Sequence, residues 1–341
     1  MLEIPYFLRA FKTLLFDLLI LQQGLPSRTQ NETKGQYHEV TIFVIPSLSP
    51  IDWSNPANLY SSTSKCFLKA ATTKTQYIIG HTIARVSSPN LKKPVFAAMS
   101  GSRAREKAEL VLTRGLGLGS LGATIGGHIE PVDHIHEGIE THKKQKRIAY
   151  IKFRINEQAL QRILKFIDGF QRKINKDVAP CNLYNGATWP RYENEGAGCS
   201  AFGMSILDVA HLLPNESRDW RVEVKIPMHL IGGVFNHNKK ISLKTILQTK
   251  SWYRGKGIPD VDFVHHKLYD PSIIYNWILN MRNQNHPEYL PDMENNIPGL
   301  LVDRQGVFVD ENEPIFLQRQ NSDLFTRTYH NEIRNLFRKE A

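Results

Sequence analysis

Apolar residues recur along the chain with two distinct periods. Alternating or β-branched runs predict strands over 38–46, 77–86, 94–100, 147–155 and 220–227, because side chains two apart share one sheet face. Apolar positions three and four apart predict helices over 103–114, 156–174, 271–282 and 322–339. Asn156 stands where the second of these needs a cap, and Asp270-Pro271 opens the third. A shorter helix, capped by Asn58 or Ser61, reaches Leu68. The same period continues after Cys199 through Phe202, Ile206, Val209 and Leu213. Residues 235–270 read as irregular, and the Asn- and Pro-rich stretch beyond Arg282 reads as loops. The pattern predicts an α+β fold, an antiparallel sheet with packed helices.

The N-terminus carries its own signal. Phe7, Leu8, Phe11, Leu14, Leu15, Leu18 and Leu19 follow a helical period, but Asp17 interrupts the apolar run. Residues 1–23 are therefore either a signal-like segment or an amphipathic helix able to touch a membrane peripherally. Residues 24–37 read as a linker. Further on, Gly117, Gly119 and Gly122 spell G-x-G-x-x-G. A dinucleotide site needs a strand before that motif and a helix after it. Here a helix-like segment precedes and more glycines follow, so 115–128 is expected to be a flexible loop or lid.

Composition narrows the field of partners. The 341 residues include 41% hydrophobic positions, enough for a real core, and 43 Lys+Arg against 33 Asp+Glu, a net charge of +10. That charge suits an anionic partner such as a cell-envelope polymer. The basic residues are scattered, with one short cluster over 142–147, and no RNA-binding or zinc-finger motif appears, so nucleic acid is not an expected partner. Cys66, Cys181 and Cys199 form no C-x-x-C and no disulfide framework, which leaves the compartment open. The signal-like N-terminus leans toward an exported or envelope location.

Chemistry concentrates at Glu195-Gly196-Ala197-Gly198-Cys199-Ser200. Cys199 falls at the first turn of a buried helix, where free N–H groups and the helix dipole favour thiolate over thiol. The best-placed base among 13 histidines is His81, expected in the middle of a strand and preceded by Gly80. A second cluster, His128, Glu130, Asp133, His134, His136, Glu137, Glu140 and His142, reads either as a solvated loop or as the centre of a metal-dependent hydrolase, although His-Glu-x-x-His is absent.

The order of these features resembles the circularly permuted papain-like hydrolases, relatives of the NlpC-type peptidases that include the lecithin retinol acyltransferase-like group. Ile79-Gly80-His81-Thr82-Ile83-Ala84 stands for the histidine strand and Cys199-Ser200-Ala201-Phe202 for the nucleophile helix, within a resemblance covering about residues 38–215. It implies a permuted papain-like core and a cysteine-dependent hydrolase or acyltransferase. The substrate would be a peptidoglycan peptide, an isopeptide or a lipid acyl group, and no cofactor or metal is required. It also implies a third polar residue on the strand after the histidine strand. Ser100 occupies that place, with Glu130 or His128 as the alternatives. Tyr184 or Tyr192, from the loop before Cys199, is expected to help bind the oxyanion. Two departures stand out: Gly198 replaces the Asn that often precedes the family's cysteine, and Ser100 is a weak orienter. The chain divides into the N-terminal segment 1–37, a catalytic domain 38–230 and a C-terminal extension 231–341 of loops and helices packing on the core. The remaining alternative is a non-catalytic protein that binds an envelope or membrane through its basic surface.

Overall fold

The β-branched runs assemble into a six-stranded sheet that carries most of the core. In the computed structural model, which describes residues 37–73, 75–102, 109–110, 114–172 and 179–339 with side chains to Ile333, the fold is mixed α+β. The helix expected over 1–23, the linker to residue 36, most of the helix over 103–114, the end of that over 156–174 and the side chains of Leu336 and Phe337 lie outside the described residues.

The sheet runs β10 (Leu290–Glu294), β11 (Ile297–Arg304), β6 (Ala149–Ile155), β1 (His38–Ile45), β2 (His81–Ser87), β3 (Val95–Ala97). Every neighbouring pair is antiparallel except β11 with β6. Alternation along β1 sends Val40, Ile42 and Val44 to one face and Phe43 and Ile45 to the other. The first face is covered by α3 (Glu157–Arg172), α4 (Cys199–Asp208) and α6 (Pro271–Arg282), through Phe166, Phe170, Phe202, Ile274 and Ile278, all fully buried. Each such side chain contributes about 1.5–3 kcal/mol relative to exposure. The second face meets Ile135 of α2 (Val132–Lys144). Both helix starts expected from their caps are present: Asn156 Oδ1 accepts the Ala159 N–H at 2.9 Å, and Asp270 accepts from Ser272 and Ile273.

Two small sheets complete the architecture. β4 (Met99–Gly101), β5 (Ile125–Ile129) and β7 (Leu183–Tyr184) form one, and β8 (Arg221–Pro227) with β9 (Phe263–Tyr269) the other. The helix expected to reach Leu68 runs as α1 (Pro56–Thr73); it is Asn55 whose side chain accepts the Asn58 N–H. α5 (Leu243–Gln248) and β9 correct the irregular reading of 235–270. The loops expected beyond Arg282 contain the β10–β11 hairpin, two strands of the main sheet. α7 (Leu324–Lys339) closes the chain. No helix among the described residues is long and apolar enough to cross a membrane.

The glycine-rich passage is not a lid. Its glycines stand where other groups press against the backbone. A Cβ on Gly117 would lie 2.5 Å from the Leu230 carbonyl oxygen, and one on Gly122 would lie 2.2 Å from the Phe325 ring. Residues 118–121 form a 3₁₀ turn, and Ile125–Ile129 is the strand β5. Missing side chains here reflect close packing rather than freedom of movement.

Candidate active site

Cys199 opens α4, as the spacing predicts. Gly198, the residue before it, is extended (φ −80°, ψ 163°) and supplies no side-chain cap. The helix then ends earlier than the apolar period implies: it stops at Asp208, and His211 turns left-handed at φ 58°. The turn before Cys199 is fixed from behind. Glu195 is buried and takes the guanidinium of Arg319 at 2.5 and 2.7 Å, the His330 ring at 3.0 Å and the Trp189 N–H at 2.8 Å. Burial alone would raise its pKa; these partners, Arg319 foremost, hold it below the usual range. The Tyr329 hydroxyl, reaching in from α7, accepts the Gly196 N–H at 2.7 Å and donates to the Asn194 carbonyl at 2.8 Å.

Gly196 has no room for a side chain, since a Cβ there would lie 2.1 Å from the Leu183 carbonyl oxygen. Gly196→Ala is therefore expected to destabilise the fold by about 3 kcal/mol and to slow alkylation of Cys199. Urea denaturation and thiol labelling of the same sample check both. An unchanged midpoint would show that the turn yields easily.

His81 lies not in mid-strand, as expected, but at the first position of β2. Residues 77–80 form the turn that delivers it. Tyr77 and Gly80 are both left-handed, at φ 57° and 93°, and the Gly80 N–H bonds the Tyr77 carbonyl at 3.1 Å. A Cβ on Gly80 would meet Pro271 at 2.9 Å, so this glycine is required for its backbone angle and for space. Alternation then turns Thr82 toward α4. Its hydroxyl donates to the Cys199 carbonyl at 2.8 Å, and Gly203 allows α4 to lie close above it. One residue thus ties β2 to α4.

His81 and Cys199 are both buried and close enough for each to shift the other's proton affinity. The other side of the imidazole meets a carboxylate: His81 Nε2 is 2.6 Å from Glu130 Oε1. The N–H lies off the line to the oxygen, so this is an ion-pair contact rather than a linear hydrogen bond. Glu130 follows directly on β5 and its N–H bonds the Ala98 carbonyl at 3.0 Å, which extends the β4–β5 ladder by one step. Its carboxylate also accepts from Ser100 at 2.5 Å and Tyr77 at 2.6 Å, and contacts His134 Nδ1 at 3.0 Å.

The electrostatics follow from burial set against these partners. Burial pushes the His81 imidazole down, but its contacts with Cys199 and Glu130, together with their charges, push it up to about 9. Burial pushes the Cys199 thiol up, and the contact and charge of His81 bring it down to about 7. Burial works against the Glu130 anion, but the contact and charge of His81 hold it well below the usual carboxylate range. Tyr184 stays protonated, pushed well up by burial and then by the neighbouring thiolate charge. Its hydroxyl lies 3.7 Å from Cys199 Sγ and 3.5 Å from the Cys199 backbone nitrogen.

The expected site residues therefore come together with a change of roles. Cys199, His81 and Tyr184 share one locus. Ser100 does not touch His81; it donates to Glu130, which meets the imidazole in its place. Of the alternatives, His128 pairs across the ladder with Ser100 and Glu130 reaches the imidazole. Tyr192 lies under the Arg319 guanidinium, 4.1 Å from ring centre to carbon, and not at the thiol. Tyr77, Thr82, Glu195 and Tyr329 were not foreseen.

The solvated loop or metal centre expected over 128–142 is instead the end of β5 followed by α2. A helix turns His134 and His136 to different sides. His134 contacts Glu130, whereas His136 packs edge-on against Phe96 with ring centres 4.7 Å apart. Among the described residues, no group of three or more His, Cys, Asp or Glu side chains is arranged to hold a metal ion. All three cysteines are free thiols. Compared with protein-family models, with curated proteins and with solved structures, the chain finds no match.

Proposed function

We propose that the protein is a cysteine-dependent acyl-transfer enzyme, a hydrolase or acyltransferase acting on an amide or ester carbonyl. The observation that carries this reading is the buried Cys199–His81–Glu130 chain, with the sulfur at an uncapped helix start. A structural cysteine needs neither a base nor a carboxylate behind the base. The order of histidine strand, carboxylate and cysteine helix supports the likeness to a permuted papain-like core.

In the proposed reaction, the Cys199 thiolate attacks the carbonyl carbon and His81 carries the thiol proton. The tetrahedral oxyanion is held by the Cys199 backbone N–H and by the Tyr184 hydroxyl, which a protonated phenol can donate. His81 gives its proton to the leaving amine or alkoxide as the C–N or C–O bond breaks. Water or another acceptor then attacks the thioester, losing a proton to His81 and releasing Cys199. Glu130 holds the imidazole by Nε2 and stabilises its charged form, which leaves Nδ1 for the thiol. Peptidoglycan peptides, isopeptides and lipid acyl groups all carry the required carbonyl.

The test is differential alkylation by iodoacetamide, with sites read by mass spectrometry. Cys199 is expected to react first. Cys66 is buried and donates its thiol to the Ser49 carbonyl at 3.2 Å, and burial pushes the Cys181 thiol up. The sign of the pH dependence follows from the two shifts. Below about 7 the thiol holds its proton; above about 9 the imidazolium loses its own. The reactive ion pair fills the window between, so Cys199 alkylation rises through about pH 7 and acyl transfer falls again beyond about 9. Equal, slow labelling of all three thiols would count decisively against the proposal.

A further inference from the structure

The Cys199–His81–Glu130 chain accounts for every group in the site but one aromatic ring. Tyr77 lies flat against the His81 imidazole, with ring centres 3.9 Å apart and planes 5° from parallel. Its hydroxyl donates to Glu130 Oε2 at 2.6 Å, the oxygen that His81 does not contact. A tyrosine in the left-handed region is uncommon and costs energy, so the surroundings must hold it there. They do so on both sides. The next carbonyl in the turn, that of Ile78, accepts the Leu48 N–H at 2.9 Å. On α2, Gly138 leaves the space the ring needs, since a Cβ there would come within 2.6 Å of it, and His142 stacks behind at 5.8 Å.

We infer that Tyr77 is a positioning residue: its ring sets the plane of the His81 imidazole, and its hydroxyl sets the rotation of the Glu130 carboxylate. An imidazole hinged only at its own side-chain bonds can swing away from the thiol. A flat face on one side and a carboxylate fixed in rotation at the edge remove both freedoms. The ring adds an electrostatic effect, because an aromatic face favours a cation over a neutral ring. The hydroxyl acts oppositely, because a donor on the carboxylate shares the negative charge that His81 would otherwise feel in full.

This inference rests on the proposed reaction and is separable from it by experiment. Iodoacetamide alkylation of Cys199 is followed against pH, and acylation by p-nitrophenyl acetate as a burst. Three proteins are compared: unaltered, Tyr77→Phe and Tyr77→Leu. Tyr77→Phe keeps the ring and loses the hydroxyl. Acylation should slow about tenfold as the carboxylate loosens. The thiolate limb should move slightly to lower pH, with KM within about twofold, because nothing that meets substrate has changed. Going on from Phe to Leu removes the ring face. The limb should return upward by about half a pH unit, and acylation should slow further.

A purely structural tyrosine would lower the melting temperature without moving the limb. The inference is overturned if Tyr77→Phe matches the unaltered protein in both rate and limb. Should Tyr77→Leu fail to fold, the near-isosteric phenylalanine variant decides alone. Failure of the underlying reaction looks different: there His81→Ala would leave the alkylation profile of the unaltered protein unchanged.

Discussion

Cys199→Ala is expected to abolish the p-nitrophenyl acetate burst, a loss on the order of 10⁵-fold, while leaving a folded protein. The two halves of that result have separate causes. Activity goes because the proposed base acts on the residue-199 thiol: Ser200 Oγ is 3.9 Å from the sulfur, but it is the Cys199 charge that helps raise His81. The fold stays because the supports of this turn lie elsewhere. The Gly196 N–H still bonds Tyr329, Glu195 still holds Arg319 and His330, and Thr82 still bonds the residue-199 carbonyl, a backbone group that alanine keeps. Only one buried sulfur is lost, and with it part of what raises His81.

The sign of that last change can be checked. A histidine whose folded pKa is raised to about 9 from 6.5 contributes stability that is complete below 6.5 and disappears as pH rises through 9. The thiolate that supplies part of it forms only above about pH 7, and a thiol held below its ordinary value of 9 contributes stability that is lost as pH falls through 7, so the variant's deficit should grow as pH rises through about 7. No burst in the unaltered protein, with that protein and Cys199→Ala binding anionic vesicles equally in low salt, would favour the binding-protein alternative.

Cys199 and His81 are legible in the sequence, for local reasons. Cys199 follows small residues and begins a helical apolar period; His81 follows a glycine at the head of a β-branched run. These are signals within a few residues, and pattern reading detects them. Glu130 is different. It meets His81 only because β5 pairs with β4 and carries it to the end of β2, a placement decided by two strand pairings, β2 with β3 and β4 with β5. The glycines before it carried the wrong message. Gly126 and Gly127 read as flexibility, whereas a Cβ on Gly127 would lie 2.8 Å from the Tyr184 nitrogen; the side chain is absent because β7 lies too close. A missing Cβ looks the same in a sequence for either cause.

The β10–β11 hairpin was hidden differently. β10 is an edge strand bearing Pro291, with Leu290 and Met293 exposed, so the hydrophobic alternation that reveals a buried strand is absent. The ribbon strand β9 exposes His265 and Lys267 and reads as loop for the same reason. Tyr77 left no local trace, because its importance lies in a left-handed turn that brings its ring over a residue four positions on.

Glu130→Gln tests the carboxylate that the sequence leaves as one of two alternatives to Ser100. Glutamine has the same size and no charge. Four groups that now donate to or pair with a carboxylate, those of Ser100, Tyr77, His81 and His134, would face an amide with one acceptor oxygen and an NH₂ that cannot accept. His81 would lose the anion that helps hold it at about 9, and its weaker proton affinity would no longer keep Cys199 near 7. The alkylation limb should move to higher pH, and acylation at pH 7 should fall by about 10²–10⁴-fold. Stability should also depend on pH, over a lower range than in the cysteine variant. A carboxylate held below its ordinary value of 4.5 contributes stability above that pH and loses it as pH falls toward its folded value. The gap in urea midpoint between the two proteins should therefore be full at pH 7 and narrow below about pH 4.5. If Glu130→Gln kept the limb near pH 7 and the unaltered acylation rate, Glu130 would be an internal salt-bridge partner with no part in catalysis, and His81 would be acting on Cys199 alone.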